Sequence, residues 1–79
     1  MSPIQQAVEL LQEVGTDTGI PKNIKTKIAE IVKLLNAQEE TSLRISKALS
    51  ELEKLTEDIN VEPYTRSQLF NVASILEIV

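Results

Sequence analysis

Ile4-Gln5-Gln6-Ala7-Val8-Glu9-Leu10-Leu11-Gln12-Glu13-Val14-Gly15-Thr16-Asp17 is the stretch on which the fold turns. Ile4, Ala7, Val8, Leu11 and Val14 recur at i, i+3, i+4, i+7 and i+10, which gathers them on one side of an α-helix. Just before them stand Ser2 and Pro3, with Gln5 three residues after Ser2. That order reads as an N-cap, a proline at the first helical position and a capping-box partner. Gly15 and Gly19 bracket Thr-Asp-Thr and end the helix in a short polar loop.

Working outward, Pro21 starts a second helix whose face is Ile24, Ile28, Ile31, Val32 and Leu35. Asn36 is its stop signal, and the acidic pair Glu39-Glu40 suits a new first turn, so a third helix begins between Ala37 and Ser42. Its face is Ile45, Ala48, Leu49, Leu52 and Leu55. The run Asp58-Ile59-Asn60-Val61-Glu62-Pro63 breaks it, and Pro63 starts a fourth helix with Leu69, Val72, Ala73, Leu76 and Val79 on its face. No segment alternates with period two, so no strand is expected. The pattern predicts a single all-α domain over residues 1–79, a compact four-helix bundle made of two helical hairpins.

The hairpins resemble each other. Laid over residues 45–76 at an offset of 41, residues 4–35 match identically at Ile4/Ile45, Ala7/Ala48, Leu11/Leu52, Asp17/Asp58 and Leu35/Leu76. Val14/Leu55, Ile20/Val61, Lys25/Arg66, Ile28/Leu69, Ile31/Val72 and Val32/Ala73 are conservative pairs. A period near 40, an Asp in the turn and a basic residue early in the second helix are similar to a HEAT-type repeat, although eight residues from Asp17 to Lys25 are more than that motif usually allows. Duplication of one hairpin and convergence of two amphipathic hairpins both produce such a pattern. Solenoids usually need about three repeats for stability, and this chain has two. Either the hairpins close on each other, or another copy or partner supplies the missing surface. Asp17 and Asp58 are expected to be equivalent turn residues that accept backbone N–H groups near the starts of the second and fourth helices, with Pro21 and Pro63 fixing those starts.

With 79 residues, no Cys and no His, the chain has neither disulfide nor thiolate metal site and lacks the commonest general base and metal ligand. It starts Met1-Ser2-Pro3, without the basic and apolar regions of a signal peptide, and no apolar run approaches the ~20 residues that cross a bilayer. A cytoplasmic protein without membrane association is expected. Ser46-Lys47 and Pro21-Lys22 offer a hydroxyl or an amine but no supporting third group for nucleophilic catalysis. Asp58-Ile59-Asn60-Val61-Glu62 imitates the start of a calcium loop, but Pro63 stands where glycine is required and Leu69 where the closing Glu is required. No cofactor motif is present, and the chain reads as a non-enzyme.

Net charge is −4, unevenly spread. Glu9, Glu13 and Asp17 have no base among residues 1–19, whereas Lys22, Lys25, Lys27 and Lys33 face a single acid, Glu30, in residues 20–35. The basic island is a candidate anion site at a helix start, set against the bland reading of a solvated face that balances the acidic first helix. Leu10, Leu34, Leu43, Phe70, Ile75 and Ile78 lie off the main stripes. They mark either an interface or helices nearly surrounded by neighbours.

Several stretches together resemble the signature of a known family. They are Ile20-Pro21-Lys22-Asn23-Ile24-Lys25, Leu43-Arg44-Ile45-Ser46-Lys47-Ala48, Asp58-x-Asn60, Tyr64-Thr65-Arg66 and Phe70-Asn71-Val72-Ala73-Ser74-Ile75-Leu76-Glu77. Across nearly the whole chain the sequence is similar to uncharacterised protein family 0147, a family of small archaeal proteins. Members usually carry Pro at the position of Glu62, whereas here it has slipped to Pro63, and Trp where Phe70 stands. The resemblance implies a compact four-helix fold and a cytoplasmic archaeal protein, and it implies no activity. Arg44 and Arg66 match the family pattern and lie beside helix starts, so they are candidate anchors, functional or structural. The bland alternative pairs each with a nearby carboxylate such as Asp58 or Glu62.

The functional expectation is a non-catalytic helical protein-interaction module that forms a homodimer, with Leu10, Phe70 and Ile78 at its contact surface. The alternative is a nucleic-acid- or ribosome-associated accessory protein that uses Lys22, Lys25, Lys27 and Lys33.

Overall fold

Ser2 caps the first helix as the sequence dictates. Its Oγ accepts the N–H of Gln5 at 3.2 Å, and Gln5 Oε1 accepts the N–H of Ser2 at 3.4 Å. The computed structural model describes residues 2–78, and the helices are α1 (Pro3–Gly15), α2 (Lys22–Asn36), α3 (Thr41–Thr56) and α4 (Pro63–Glu77). No strand occurs among the described residues. Val79, expected on the fourth apolar face, lies outside them.

The apolar stripes form one core. Ala7, Leu11 and Val14 come from α1, Ile24, Ile28, Ile31 and Leu35 from α2, Ile45, Ala48, Leu52 and Leu55 from α3, and Leu69, Val72 and Leu76 from α4. Ile4, Val8, Val32, Leu49 and Ala73, also expected on the stripes, are half-buried against its edge. Three buried residues lie outside the expected faces: Ile20 and Val61 in the two hairpin turns, and Thr65 in α4. Thr65 stands 41 positions after Ile24 and takes the matching place in the core.

The helices are arranged in a ring. α1 packs against α2 and α4, and α3 packs against the same two. Short connections fold each helix back on its predecessor, so the two hairpins close on each other as a bundle measuring 33 × 22 × 20 Å. Closure answers the two-repeat shortfall within one chain, since the open face of each hairpin covers the other. The bounds of α2 and α4 coincide at an offset of 41, and α1 and α3 end at the coinciding residues Gly15 and Thr56. Only the start of α3 departs from this register, by one additional N-terminal turn.

Several local expectations are corrected. Pro21 does not open α2 from inside. It is the N-cap, with ψ 147°, and its carbonyl accepts the Lys25 N–H at 3.1 Å. Glu62 holds the same place before α4, with ψ 155°, and Pro63 follows as the first helical residue. The slip of proline from Glu62 to Pro63 therefore leaves the turn geometry intact, because either residue type adopts extended backbone at the cap. Glu39 and Glu40 do not form a first turn. Glu40 is the N-cap of α3, its carbonyl receiving the Arg44 N–H at 3.0 Å, while Glu39 turns aside to pair with Lys47 at 3.1 Å. Gly15 ends α1 without a left-handed cap, as no described glycine has positive φ. A Cβ there would meet Ile28 Cγ2 at 3.7 Å, an ordinary packing contact, so the position has room for alanine.

Candidate functional site

The two hairpin turns share their backbone and aspartate hydrogen bonds. The backbone N–H of Asp17 donates to the Val14 carbonyl and that of Asp58 to the Leu55 carbonyl, both at 3.2 Å. Asp17 Oδ1 accepts the Gly19 N–H, and Asp58 Oδ1 accepts the Asn60 N–H, each at 2.8 Å. Ile20 and Val61 then close the turns through N–H donation to the carbonyls of Asp17 and Asp58. The accepted N–H groups of Gly19 and Asn60 lie inside the turns, three residues before each helix begins, so the carboxylates organise the turns and do not cap α2 or α4. Asp17→Ala and Asp58→Ala are each expected to cost about 1 kcal/mol, with Asn retaining most of it because its amide oxygen still accepts. Urea midpoints compared with an exposed mid-helix control such as Glu9→Ala measure this.

Arg44 and Arg66 bind backbone, not carboxylates. Arg66 Nε donates to the Thr56 carbonyl at 2.8 Å, and its Nη2 donates to the carbonyls of Asp58 and Val61 at 3.2 and 3.1 Å. Arg44 Nη1 donates to the Leu35 carbonyl at 2.9 Å and Nη2 to Thr41 Oγ1 at 3.1 Å, while its solvent-shielded Nε makes no hydrogen bond among the described residues. The expected pairing with Asp58 or Glu62 is replaced by carbonyls because a helix leaves its last C=O groups without partners, and a planar guanidinium can serve several at once. Each arginine is the fourth residue of its helix and reaches back to the end of the preceding one. Lys25 holds the same place in α2 and lies beside Gly15 and Thr16, but its ammonium donates to neither.

The basic island is divided between two sides of α2. Lys25 lines the groove between α1 and α2, whereas Lys27 lines the opposite groove, between α2 and α3, beside Glu30, Glu51, Lys54, Glu57 and Asp58. Residues two apart on a helix point in nearly opposite directions, which separates Lys27 from Lys25, whereas Lys22, Lys25 and Lys33 share one side of α2 by the helical step. Lys22 and Lys33 are exposed. Lys47, beside Ser46, is held by both carboxylate oxygens of Glu39 and is not poised as a base for that hydroxyl. No group of three or more metal-ligating side chains occurs among the described residues.

The surplus apolar residues divide. Leu10, Leu34 and Ile75 are half-buried, and Leu10 lines the α1/α4 groove. Leu43, Ile59, Tyr64, Phe70 and Ile78 are exposed. All five belong to the second hairpin, and at an offset of 41 they stand against Ser2, Thr18, Asn23, Ala29 and Ala37. Phe70 borders the α3/α4 groove with Leu49, Leu52 and Ala73, a groove of about 330 Å³. Its counterpart between α1 and α2 has Ala29 in place of the ring. Sequence reasoning missed Ile59 and Tyr64 as surface groups. The signal was present: each is apolar or aromatic where its counterpart in the first hairpin is polar.

This geometry can be set beside known proteins. A crystal structure of a protein of unknown function, MMP1188, is similar with TM-score 0.90 and 28% identity, covering 98% of this chain and 89% of that one. The profile of the uncharacterised protein family UPF0147 matches residues 1–79. The chain belongs to that family. Among UPF0147 relatives, one from Methanosarcina mazei is 33% identical over 75 residues, 94% of this chain and 81% of the relative. Another, from Sulfurisphaera tokodaii, is 32% identical over 77 residues, covering 96% of this chain and 86% of the relative. Membership in UPF0147 ties the fold to an archaeal family and attaches no chemistry to it. No described helix is long and apolar enough to cross a membrane.

Proposed function

We propose that this UPF0147 chain is a non-catalytic helical interaction module of the cytoplasm that self-associates through its second hairpin. One observation carries this reading: every exposed large hydrophobic residue among those described lies on that hairpin. The outer side of α4 reinforces it. From Ser67 to Leu76 the helix carries no charge, and exposed Phe70 stands among Ser67, Asn71 and Ser74. An exposed aromatic ring with uncharged neighbours on its own helix, and charge confined to Glu53 and Glu77 along the adjoining groove, suits an apolar interface core with a polar rim. A standard interface takes roughly 800 Å² from each partner, about one-sixth of this molecule's 5010 Å² surface. The shared bounds of α2 and α4 and the shared backbone and aspartate bonds of the two turns support duplication of one hairpin as the origin of the fold. On that reading the second copy gained the contact surface while the first kept polar or small residues.

Light scattering over a concentration series tests self-association. The expected mass is twice 8.8 kDa at micromolar concentration and above, falling to 8.8 kDa for Phe70→Glu with the helical circular dichroism unchanged. A mass of 8.8 kDa for the unaltered chain at high concentration would remove the dimer.

A further inference from the structure

Four longitudinal grooves run between neighbouring helices, and their charges differ. Lysines line two of them: Lys25 between α1 and α2, and Lys27 with Lys54 between α2 and α3. Arg66 reaches across the α3/α4 seam to the Thr56 carbonyl, whereas the residues that line the α1/α4 groove include no lysine or arginine. The α3/α4 groove, with Phe70, falls within the surface already proposed for self-association. The α1/α4 groove lies on the other side of the helix and has a different chemistry. Its floor is Leu10, Val14 and Ile20, its edges are Glu13 and Asp17, and Tyr64 and Gln68 stand on the α4 side.

Tyr64 is 69% exposed, too much for a packing role. Its ring is nevertheless held in place, because Gln68 Nε2 donates to the phenol oxygen at 2.9 Å and Asn71 Nδ2 donates to Gln68 Oε1 at 3.1 Å. Asp17 spends Oδ1 on the turn and leaves its other oxygen free, and neither Asp17 nor Glu13 pairs with a cation among the described residues. Glu62 continues the acidic edge, since the adjoining cleft is lined by Asp17, Ile20, Thr65 and Glu62.

We infer that the α1/α4 groove is a docking site for a lysine- or arginine-bearing segment of a partner protein. The aliphatic stem of such a side chain lies on Leu10, Val14 and Ile20. Its charged head meets the carboxylates of Glu13 and Asp17 and the face of Tyr64, an arrangement that combines ion pairing with cation–π attraction. An acidic segment meets only repulsion here, and a purely apolar one would strip water from two carboxylates without replacing it. The inference does not depend on the dimer, because the groove and the Phe70 surface lie on different sides of α4.

The test uses an N-acetylated hexalysine amide as the probe. Tyr64 is the sole tyrosine and the chain has no tryptophan, so tyrosine emission reports from the groove itself. Saturable binding with a change in that emission is expected at low salt. Glu13→Gln combined with Asp17→Asn is expected to weaken binding at least tenfold; Asn preserves the turn acceptor and so the fold. Removing equal charge from the opposite groove, through Glu51→Gln with Glu57→Gln, is expected to change it less than twofold. By calorimetry, Tyr64→Ala is expected to lose about fivefold and Tyr64→Phe, which keeps the ring, less than twofold. Equal weakening by both charge pairs, or spermidine binding as tightly as hexalysine, would overturn the assignment.

Discussion

Leu11→Ala and Leu52→Ala are each expected to lower the unfolding free energy by about 3 kcal/mol, as burial of a whole leucine in a close-packed core implies. Both side chains are at most 1% exposed, and they stand at an offset of 41 on the inward faces of α1 and α3. Each removal leaves a cavity walled by neighbouring helices, which the ring restrains from collapsing. A domain of 79 residues has a total stability of roughly 4–12 kcal/mol, so either substitution removes a large share and the pair together should unfold the chain. Urea denaturation followed by circular dichroism measures both. If one leucine cost less than about 1 kcal/mol and the other the full amount, the halves would not share a packing plan despite their matching bounds.

Arg66→Ala is expected to cost about 2–3 kcal/mol, because hydrogen bonds to a charged group are among the stronger ones and this side chain makes three. The carbonyls it serves belong to Thr56, Asp58 and Val61, so its loss loosens the end of α3 and the whole turn into α4 together. Arg66→Lys should recover less than half, since a single ammonium cannot span three acceptors that a planar fork reaches. Arg44→Ala, with fewer bonds, should cost about 1–2 kcal/mol. An Arg66→Ala midpoint indistinguishable from that of an exposed control would mean that water satisfies those carbonyls equally well.

Much of the fold was legible because the helices follow simple periodicity. Ile4 to Val14, Ile24 to Leu35, Ile45 to Leu55 and Leu69 to Leu76 each mark one inward stripe, and Ser2, Pro3 and Gln5 fixed the first start. Thr65 escaped because its side chain reads as polar, and burial at a helix N-terminus depends on the neighbouring turn, which periodicity does not describe. The same is true of Ile20 and Val61, which are apolar residues in segments marked as loops. The acidic pair Glu39-Glu40 misled because helix-dipole preferences are weak beside the pairing of Glu39 with Lys47, a contact eight residues away. At the surface, Arg44 and Arg66 were recognisable as special positions, but their carbonyl partners depend on tertiary placement. Tyr64 needed comparison of the two hairpins position by position, since on its own it is an ordinary residue beside a proline.

The ring order of the helices also has a meaning in time. Three of the four seams join helices consecutive in sequence and form as short connections fold back; only the seam between α1 and α4 waits for the whole chain. The conformational search reduces to two hairpins and one docking event, which places the chain among helical domains that fold in microseconds to milliseconds. Contacts completed last are absent from the transition state, so weakening them speeds unfolding and leaves refolding nearly unchanged. The lifetime of each folded molecule is therefore expected to respond most to changes where the two hairpins dock, at the α1/α4 and α2/α3 seams.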